Sequence, residues 1–261
     1  MSTTNTLQVA LIQSNLIWEN PPANRKQFEE KINSLSTTID LVVLPEMFTT
    51  GFTMNASAVA ETMEGETVQW LQYLAQKKSI AITGSIIVSE NSTFYNRLLF
   101  VHPSGKIDFY DKKHTFTLAS EHETFSAGTE RIMVDYKGWK ICPLICYDLR
   151  FPIWARNTED YDLLLYVASW PKPRIEAWDS LLKARAIENM SYTIGVNRVG
   201  VDANNYAYTG NTVCYDTLGN CLAKNDLGTE EILIIELNKQ EQTKTRNRFR
   251  FLDDRDKFIL Q

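Results

Sequence analysis

The sequence predicts an α/β fold: a single domain over 1–261, built on a mixed β-sheet with helices covering its faces. Two observations carry this. Several strand-length runs are apolar at every position, Leu41-Val-Val-Leu44 and Leu163-Leu-Leu-Tyr-Val-Ala168 among them, as expected of strands covered on both sides. Segments with helical apolar spacing alternate with these runs, and neither a low-complexity linker nor an internal repeat divides the chain. At 261 residues and 44% apolar content, such a chain buries roughly 75% of its unfolded surface and needs neither disulfides nor a structural metal to hold a core.

In chain order, 8–13 reads as the first strand, and Asn20-Pro-Pro opens a helix that carries Phe28, Ile32 and Leu35 on one face. The apolar run from Leu41 is a strand that ends on a carboxylate, Glu46. A helix over 67–79 follows with Val68, Leu71, Leu74 and Ala75 aligned, then a strand over 80–88. Two strands, 96–101 and 106–112, are joined by His102-Pro-Ser-Gly105 as a hairpin. The run 139–145 is a strand that turns polar at Cys146, and Pro152 suits the first turn of a helix. A strand over 162–170, a helix over 177–190 bearing Trp178, Leu181 and Leu182, and a strand over 192–199 come next. A turn at Leu218-Gly219-Asn220 and a last strand over 231–237 complete the pattern, and 244–250 reads as a solvated helix face and tail.

Composition excludes several function classes. A formal charge of −5 with no lysine and arginine cluster argues against a nucleic-acid partner. No apolar run approaches membrane-span length and the start is polar and uncharged, so a cytoplasmic protein without a membrane partner is expected. Cys142, Cys146, Cys214 and Cys221 have no C-x-x-C spacing, and His102, His114 and His122 are scattered, so no metal site with imidazole ligands is expected; a carboxylate-only magnesium site stays open, and no G-x-G-x-x-G follows a strand to hold a dinucleotide.

Chemistry in such sheets gathers beyond the C-terminal strand ends. Glu46, Lys112 and Cys146 all fall there. A thiol at a sharp strand-to-helix turn faces the crevice, and neighbouring helix N–H groups favour its ionised form. A carboxylate supplies a base for it. A lysine held protonated beside that carboxylate can stabilise negative charge developing on a carbonyl oxygen. The set suits acyl transfer without a histidine. Other readings of the same residues stay open at this point: buried core packing for Cys146, and a structural ion pair for Glu46 and Lys112.

Leu44-Pro-Glu46-Met-Phe48, Tyr110-Asp-Lys112-Lys-His114 and Ile145-Cys146-Tyr147-Asp148-Leu-Arg150-Phe-Pro152, in this order, resemble the nitrilase superfamily of carbon-nitrogen hydrolases. The resemblance runs on through Leu181 to Asn189 and Gly195 to Gly200. Within that superfamily, Pro45 to Phe52 and Tyr166-Val-Ala-Ser-Trp170-Pro are most similar to the bacterial ω-amidase branch. The resemblance implies a four-layer α-β-β-α sandwich that pairs into an α-β-β-α-α-β-β-α homodimer. It also implies Glu46 as general base, Cys146 as the nucleophile that forms a thioester, and Lys112 with the Tyr147 N–H as oxyanion donors. Glu121 matches a further glutamate near the triad, although Glu123 stands close by. Thr115, where leucine is common, and the Cys142-Pro-Leu run depart from the pattern without touching a reacting group.

The expectation is therefore a cofactor-free amidohydrolase that releases ammonia from the terminal amide of a small 2-oxo dicarboxylic acid. An N-carbamoyl-compound hydrolase or a nitrilase on the same triad is the alternative, and a noncatalytic scaffold is the alternative from another class. Phe52, Tyr147, Trp170 and Arg174 are the expected substrate contacts, with Arg198 a second candidate for a substrate carboxylate. Asp148 and Arg150 read as a pair that fixes the cysteine turn, and His114 as a residue that orients the lysine segment by hydrogen bonding. Cys142, Cys214 and Cys221 read as inert core or strand residues.

Overall fold

A computed structural model describes residues 5–259; the first four residues of the polar start lie outside them. The strands are β1 (Thr6–Gln13), β2 (Leu41–Val43), β3 (Ala81–Glu90), β4 (Thr93–Val101), β5 (Ile107–Asp111), β6 (Val134–Tyr136), β7 (Trp139–Ile145), β8 (Leu163–Ala168), β9 (Tyr192–Asn197), β10 (Val199–Val201), β11 (Ala207–Thr209), β12 (Val213–Tyr215), β13 (Cys221–Lys224) and β14 (Glu231–Asn238). The helices are α1 (Pro21–Asn33), α2 (Ala56–Val59), α3 (Glu66–Lys78), α4 (Glu121–Thr124), α5 (Pro152–Ala155), α6 (Ile175–Asn189) and α7 (Lys239–Phe249).

In place of the single mixed sheet expected from the strands, two six-stranded sheets form, as the family resemblance implied, beside a small two-stranded one. The first runs β14-β1-β2-β3-β4-β5 and the second β13-β12-β9-β8-β7-β6. Each is built alike. A parallel core, β1-β2-β3 in one and β9-β8-β7 in the other, is flanked by antiparallel strands.

The period-2 alternation of β1 explains the layering. Leu7, Val9 and Leu11 join Leu41, Val43, Leu98 and Phe100 in packing against Leu144, Leu164 and Tyr166 of the second sheet. Ala10 and Ile12 point the other way, onto Phe28 and Ile32 of α1 and Val68, Leu71 and Leu74 of α3. On the far side of the second sheet, α6 brings Trp178, Leu182 and Ala186 into the core. It approaches β9 so closely that a Cβ on Gly195 would stand 2.4 Å from Leu182. An alanine in place of Trp178 would cost about 3–5 kcal/mol.

Local chemistry sets the helix ends. The Asn20 side chain accepts from the Ala23 N–H, with prolines in the first turn of α1. Lys77 and Lys78 close the last turn of α3, where Ser79 takes a left-handed conformation.

Three departures from the sequence reading follow from backbone geometry. A tight turn at Asn91 and Ser92, with φ of 50° and 62°, joins β3 to β4, so β4 begins at Thr93 rather than at 96. The strand expected over 192–199 breaks at Arg198, and Val199 pairs with Thr209 in a separate two-stranded hairpin. The segment 244–250 is helical to Phe249 and mostly exposed, as expected, but Arg246 is half-buried and donates to the Met190 and Tyr161 carbonyls.

Candidate active site

Cys146 follows directly on the last residue of β7 and has a φ of +42°. A non-glycine residue there costs on the order of 1–3 kcal/mol and persists only where its surroundings impose it. Asp148 imposes it. One carboxylate oxygen accepts from the Ile145 N–H at 3.0 Å and the Tyr110 hydroxyl at 2.7 Å. The other accepts from the His114 N–H at 3.0 Å and meets His114 Nδ1 at 2.7 Å. The expected Asp148–Arg150 pair is therefore corrected: Asp148 ties the cysteine turn to the lysine segment, and the exposed Arg150 has its guanidinium 4.9 Å from the Trp170 ring centroid instead. His114 does orient the lysine segment by hydrogen bonding, with its ring stacked on Phe151 at 3.7 Å.

Lys112 is placed by register. β4 pairs with β5 through Arg97↔Asp111, and the ladder continues one residue further as the Lys112 N–H donates to the Asn96 carbonyl at 3.0 Å. Residues directly opposite share a face. Arg97 and Asp111 meet on one side, with bonds of 2.7 and 2.9 Å; Lys112 and Asn96 meet on the other. Lys113 is half-buried, its ammonium 5.4 Å from the Trp154 ring. Gly128 N–H donates to the Lys112 carbonyl at 2.9 Å, and a Cβ on Gly128 would lie 2.2 Å from the Asp111 carbonyl oxygen.

Lys112 Nζ donates to Glu46 Oε1 at 2.9 Å and to both oxygens of Glu121, at 2.9 and 2.8 Å. Of the two neighbouring glutamates it is thus Glu121, on α4, that enters the cluster, while Glu123 is exposed. Glu121 also accepts from the Phe116 N–H at 2.5 Å. Glu46 is delivered by the turn after β2, in which Met47 adopts a φ of 44° and donates to Ser85 Oγ at 2.9 Å. Its second oxygen accepts from the Ser169 N–H at 2.8 Å, beyond the end of β8. Glu46, Lys112 and Glu121 are 0, 1 and 0% exposed, so their charges act almost unscreened.

One ammonium between two buried carboxylates fixes the direction of each shift. Burial would lower the Lys112 pKa, but Glu121 and Glu46 outweigh it and hold it above the usual lysine range. Burial raises Glu121; Lys112 opposes this and Glu46 adds to it. Burial, then the Glu46 carboxylate, push the Cys146 thiol well above the usual cysteine range against the pull of Lys112. The expectation that helix N–H groups leave this thiol ionised is therefore corrected: it rests protonated, beside a carboxylate able to take its proton. Buried Cys142 is pushed up to about 12 by its burial, whereas Cys221, expected with it as inert, is exposed at the start of β13.

Cys146 and Lys112 open into a cavity of about 570 Å³ whose wall includes Phe52, Tyr147, Trp170 and Arg174, the four expected substrate contacts. Trp170 serves as both wall and core: it is 3% exposed and its indole N–H donates to the Arg174 carbonyl at 2.7 Å. Arg198 is not in the wall. Its guanidinium is buried behind Tyr208 and donates to Asn15, Leu16 and Val199. Sequence reasoning missed Arg150 as a wall residue, and missed Ser169 and Asn96 altogether. The hairpin register held the signal for Asn96, since counting back from His102-Pro-Ser-Gly105 sets it opposite Lys112. Among the described residues no group of three or more His, Cys, Asp or Glu is arranged to hold a metal ion.

The sequence profile of the carbon-nitrogen hydrolase family matches residues 8–247. The chain belongs to that family. It is 44% identical to the "Omega-amidase YafV" of Yersinia enterocolitica, over 98% of this chain and 99% of that protein. It is 35% identical to the "2-oxoglutaramate amidase" of Bacillus subtilis, over 94% of this chain and 96% of that one. Among solved structures, a CN-hydrolase superfamily protein of Xanthomonas campestris with an arsenic adduct in its active site superposes with a TM-score of 0.96 at 39% identity, covering 99% of this chain and 100% of that one.

Proposed function

We propose that this chain is an ω-amidase that hydrolyses the terminal amide of a small 2-oxo dicarboxylic acid, such as 2-oxoglutaramate, through a thioester on Cys146. The observation that carries the reading is a buried Glu46–Lys112–Glu121 cluster beside the thiol, at the base of a cavity whose wall holds two arginines, Arg150 and Arg174. The two relatives at 44 and 35% identity support it by name.

Glu46 takes the Cys146 proton as sulfur attacks the amide carbonyl, and the oxyanion is met by Lys112 and the Tyr147 N–H. Glu121, saturated by Lys112 and the Phe116 N–H, stays in place as the lysine's permanent counter-charge. The protonated Glu46 gives its proton to the departing ammonia. A water then enters, loses a proton to Glu46 and attacks the thioester, and the returning proton restores the thiol. Lys112 remains charged throughout, in keeping with its raised pKa.

At the other end of the substrate, the guanidinium of Arg150 rests on Trp170, and that of Arg174 lies 5.1 Å from the Phe116 ring centroid. Such stacked guanidinium groups suit bidentate capture of a carboxylate, and Phe52 and Tyr147 flank the methylenes. We further infer that 1–261 acts as one hydrolase domain without a cofactor, in the cytoplasm, as a homodimer of about twice 30.0 kDa. Among the described residues no helix is long and apolar enough to cross a membrane.

Ammonia release from a panel of 2-oxoglutaramate, neutral amides, nitriles and carbamoyl compounds tests the reading, together with intact-mass measurement after rapid acid quench. An acyl adduct that maps to Cys146 and is lost in Cys146→Ala is the expected result. An adduct on another cysteine, or preferred turnover of a nitrile or carbamoyl compound, overturns it.

A further inference from the structure

Lys112 has a conflict that the proposed mechanism leaves unresolved. Its ammonium has three N–H donors, and all three are used, one on Glu46 Oε1 and two on Glu121. To meet an oxyanion it must turn one of them away, and a buried carboxylate then loses a partner while a second carboxylate stands close by. Such a loss would pull a proton onto the pair and disable the base.

The side chain that answers this is Asn96. It is 1% exposed and lies in the middle of three strands, paired with Ile87 of β3 and opposite Lys112 beyond β5. Its Nδ2 donates to Glu46 Oε1 at 2.8 Å and to Glu121 Oε1 at 3.3 Å, two of the three oxygens that Lys112 holds. Two donors and two acceptors therefore alternate around a closed square of Lys112, Glu46, Asn96 and Glu121. The amide can face only one way, because its oxygen in place of Nδ2 would oppose two carboxylate oxygens. Asn96 is absent from the cavity wall, and its Nδ2 is engaged by the two carboxylates.

We propose that Asn96 is a positioning residue that keeps Glu46 and Glu121 ionised and in place while Lys112 turns an N–H to the reacting carbonyl oxygen. Its neutral amide supplies donors without adding charge, a task no second lysine could perform without taking the Cys146 proton's destination away from Glu46. This inference rests on the amidase reading, and its test includes a measurement that does not.

Asn96→Leu removes both donors while keeping the branched shape, and Asn96→Asp keeps the shape but replaces the donor with a further carboxyl group. For Asn96→Leu with 2-oxoglutaramate, kcat is expected to fall about 10- to 100-fold while KM stays within about threefold. The acid limb of the pH profile of kcat should move up by about one unit, since a carboxylate that loses a donor binds its proton more tightly. Without reference to activity, the Tm gap between wild type and Asn96→Leu should widen from pH 5 to pH 8. A carboxylate with a raised folded-state pKa contributes stability that is lost as pH rises. If Asn96→Leu does not fold, Asn96→Asp decides on the same limb, because three carboxyl groups around one ammonium must retain an extra proton. An unmoved acid limb in a folded variant, kcat within threefold of wild type, or a Tm gap constant with pH overturns the inference. Wild type inert toward amides but with a pH-dependent Tm gap would sink the amidase reading and leave the role of Asn96 in ionisation standing.

Discussion

Lys112→Met removes the only ammonium among the described residues that touches Glu46 and Glu121, and the size of its effect can be worked from their burial. Left ionised and unpaired, a buried partner costs about 3–5 kcal/mol. The cheaper course is for the carboxyl pair to take up one proton. An unfolded glutamate has a pKa of about 4.3, so holding that proton at pH 7 costs about 3.7 kcal/mol at ~1.36 kcal/mol per pH unit. A carboxyl group with a raised folded-state pKa contributes stability that is present below the unfolded pKa and lost as pH rises. The deficit of the variant should therefore be near zero close to pH 4.3 and grow towards neutrality. At roughly 2–4 °C per kcal/mol for a chain near this size, the Tm gap at pH 7 should be about 7–15 °C. Loss of an oxyanion donor lowers kcat by a further 10²- to 10³-fold or so. Lys113→Met is the control, expected within about threefold of wild type, because its ammonium lies over the Trp154 ring and outside the carboxylate cluster. Calorimetry from pH 4.5 to 8 and ammonia release decide the matter. A Tm gap that does not change with pH, or Lys112→Met within tenfold of wild-type kcat, would refute the reasoning.

Arg150→Met and Arg174→Met should each lower kcat/KM for 2-oxoglutaramate about 10- to 100-fold while changing it less than threefold for a neutral amide of equal length; equal losses on both substrates would remove the arginines from carboxylate recognition. Since burial and Glu46 push the Cys146 thiol up, alkylation by iodoacetamide should accelerate continuously through pH 9, and a plateau near neutral pH would contradict a protonated resting thiol. Gly128→Ala should cost about 1–3 kcal/mol and reduce kcat, because the new methyl would strike the backbone one residue before Lys112. An unchanged Tm would mean that the Gly128 segment moves aside freely.

How much of this was legible beforehand depended on where a residue stood. Glu46 and Cys146 were visible because each follows an apolar strand, where a polar group has a reason to be, and Lys112 because it ends the second strand of the hairpin. Asn96 sits inside β4 but stood at the start of the strand expected over 96–101, where a polar residue calls for no special reason. The division into two sheets could not be read from the strands, because faces that pack on a helix and faces that pack on the other sheet carry the same leucines, isoleucines and valines. Only the resemblance supplied it. Asp148 and Arg150 were matched as sequence neighbours, whereas the partner that matters to Asp148, Tyr110, is 38 residues away.

The order of the first sheet has a consequence for how activity appears in time. Its β1 is flanked by β2 and by β14, so the strand nearest the beginning of the described chain is completed by one near its end, through eight register pairs from Thr6↔Asn238 to Gln13↔Glu231. Closing so long a loop is slow, because its entropy is spent before the contacts that repay it exist. Glu46 and Lys112 follow strands of this sheet and Cys146 follows a strand of the other. A refolding chain can thus regain most of its strand signal early and still lack a nucleophile beside its base. Turnover should return only with the latest kinetic phase, when the two halves dock.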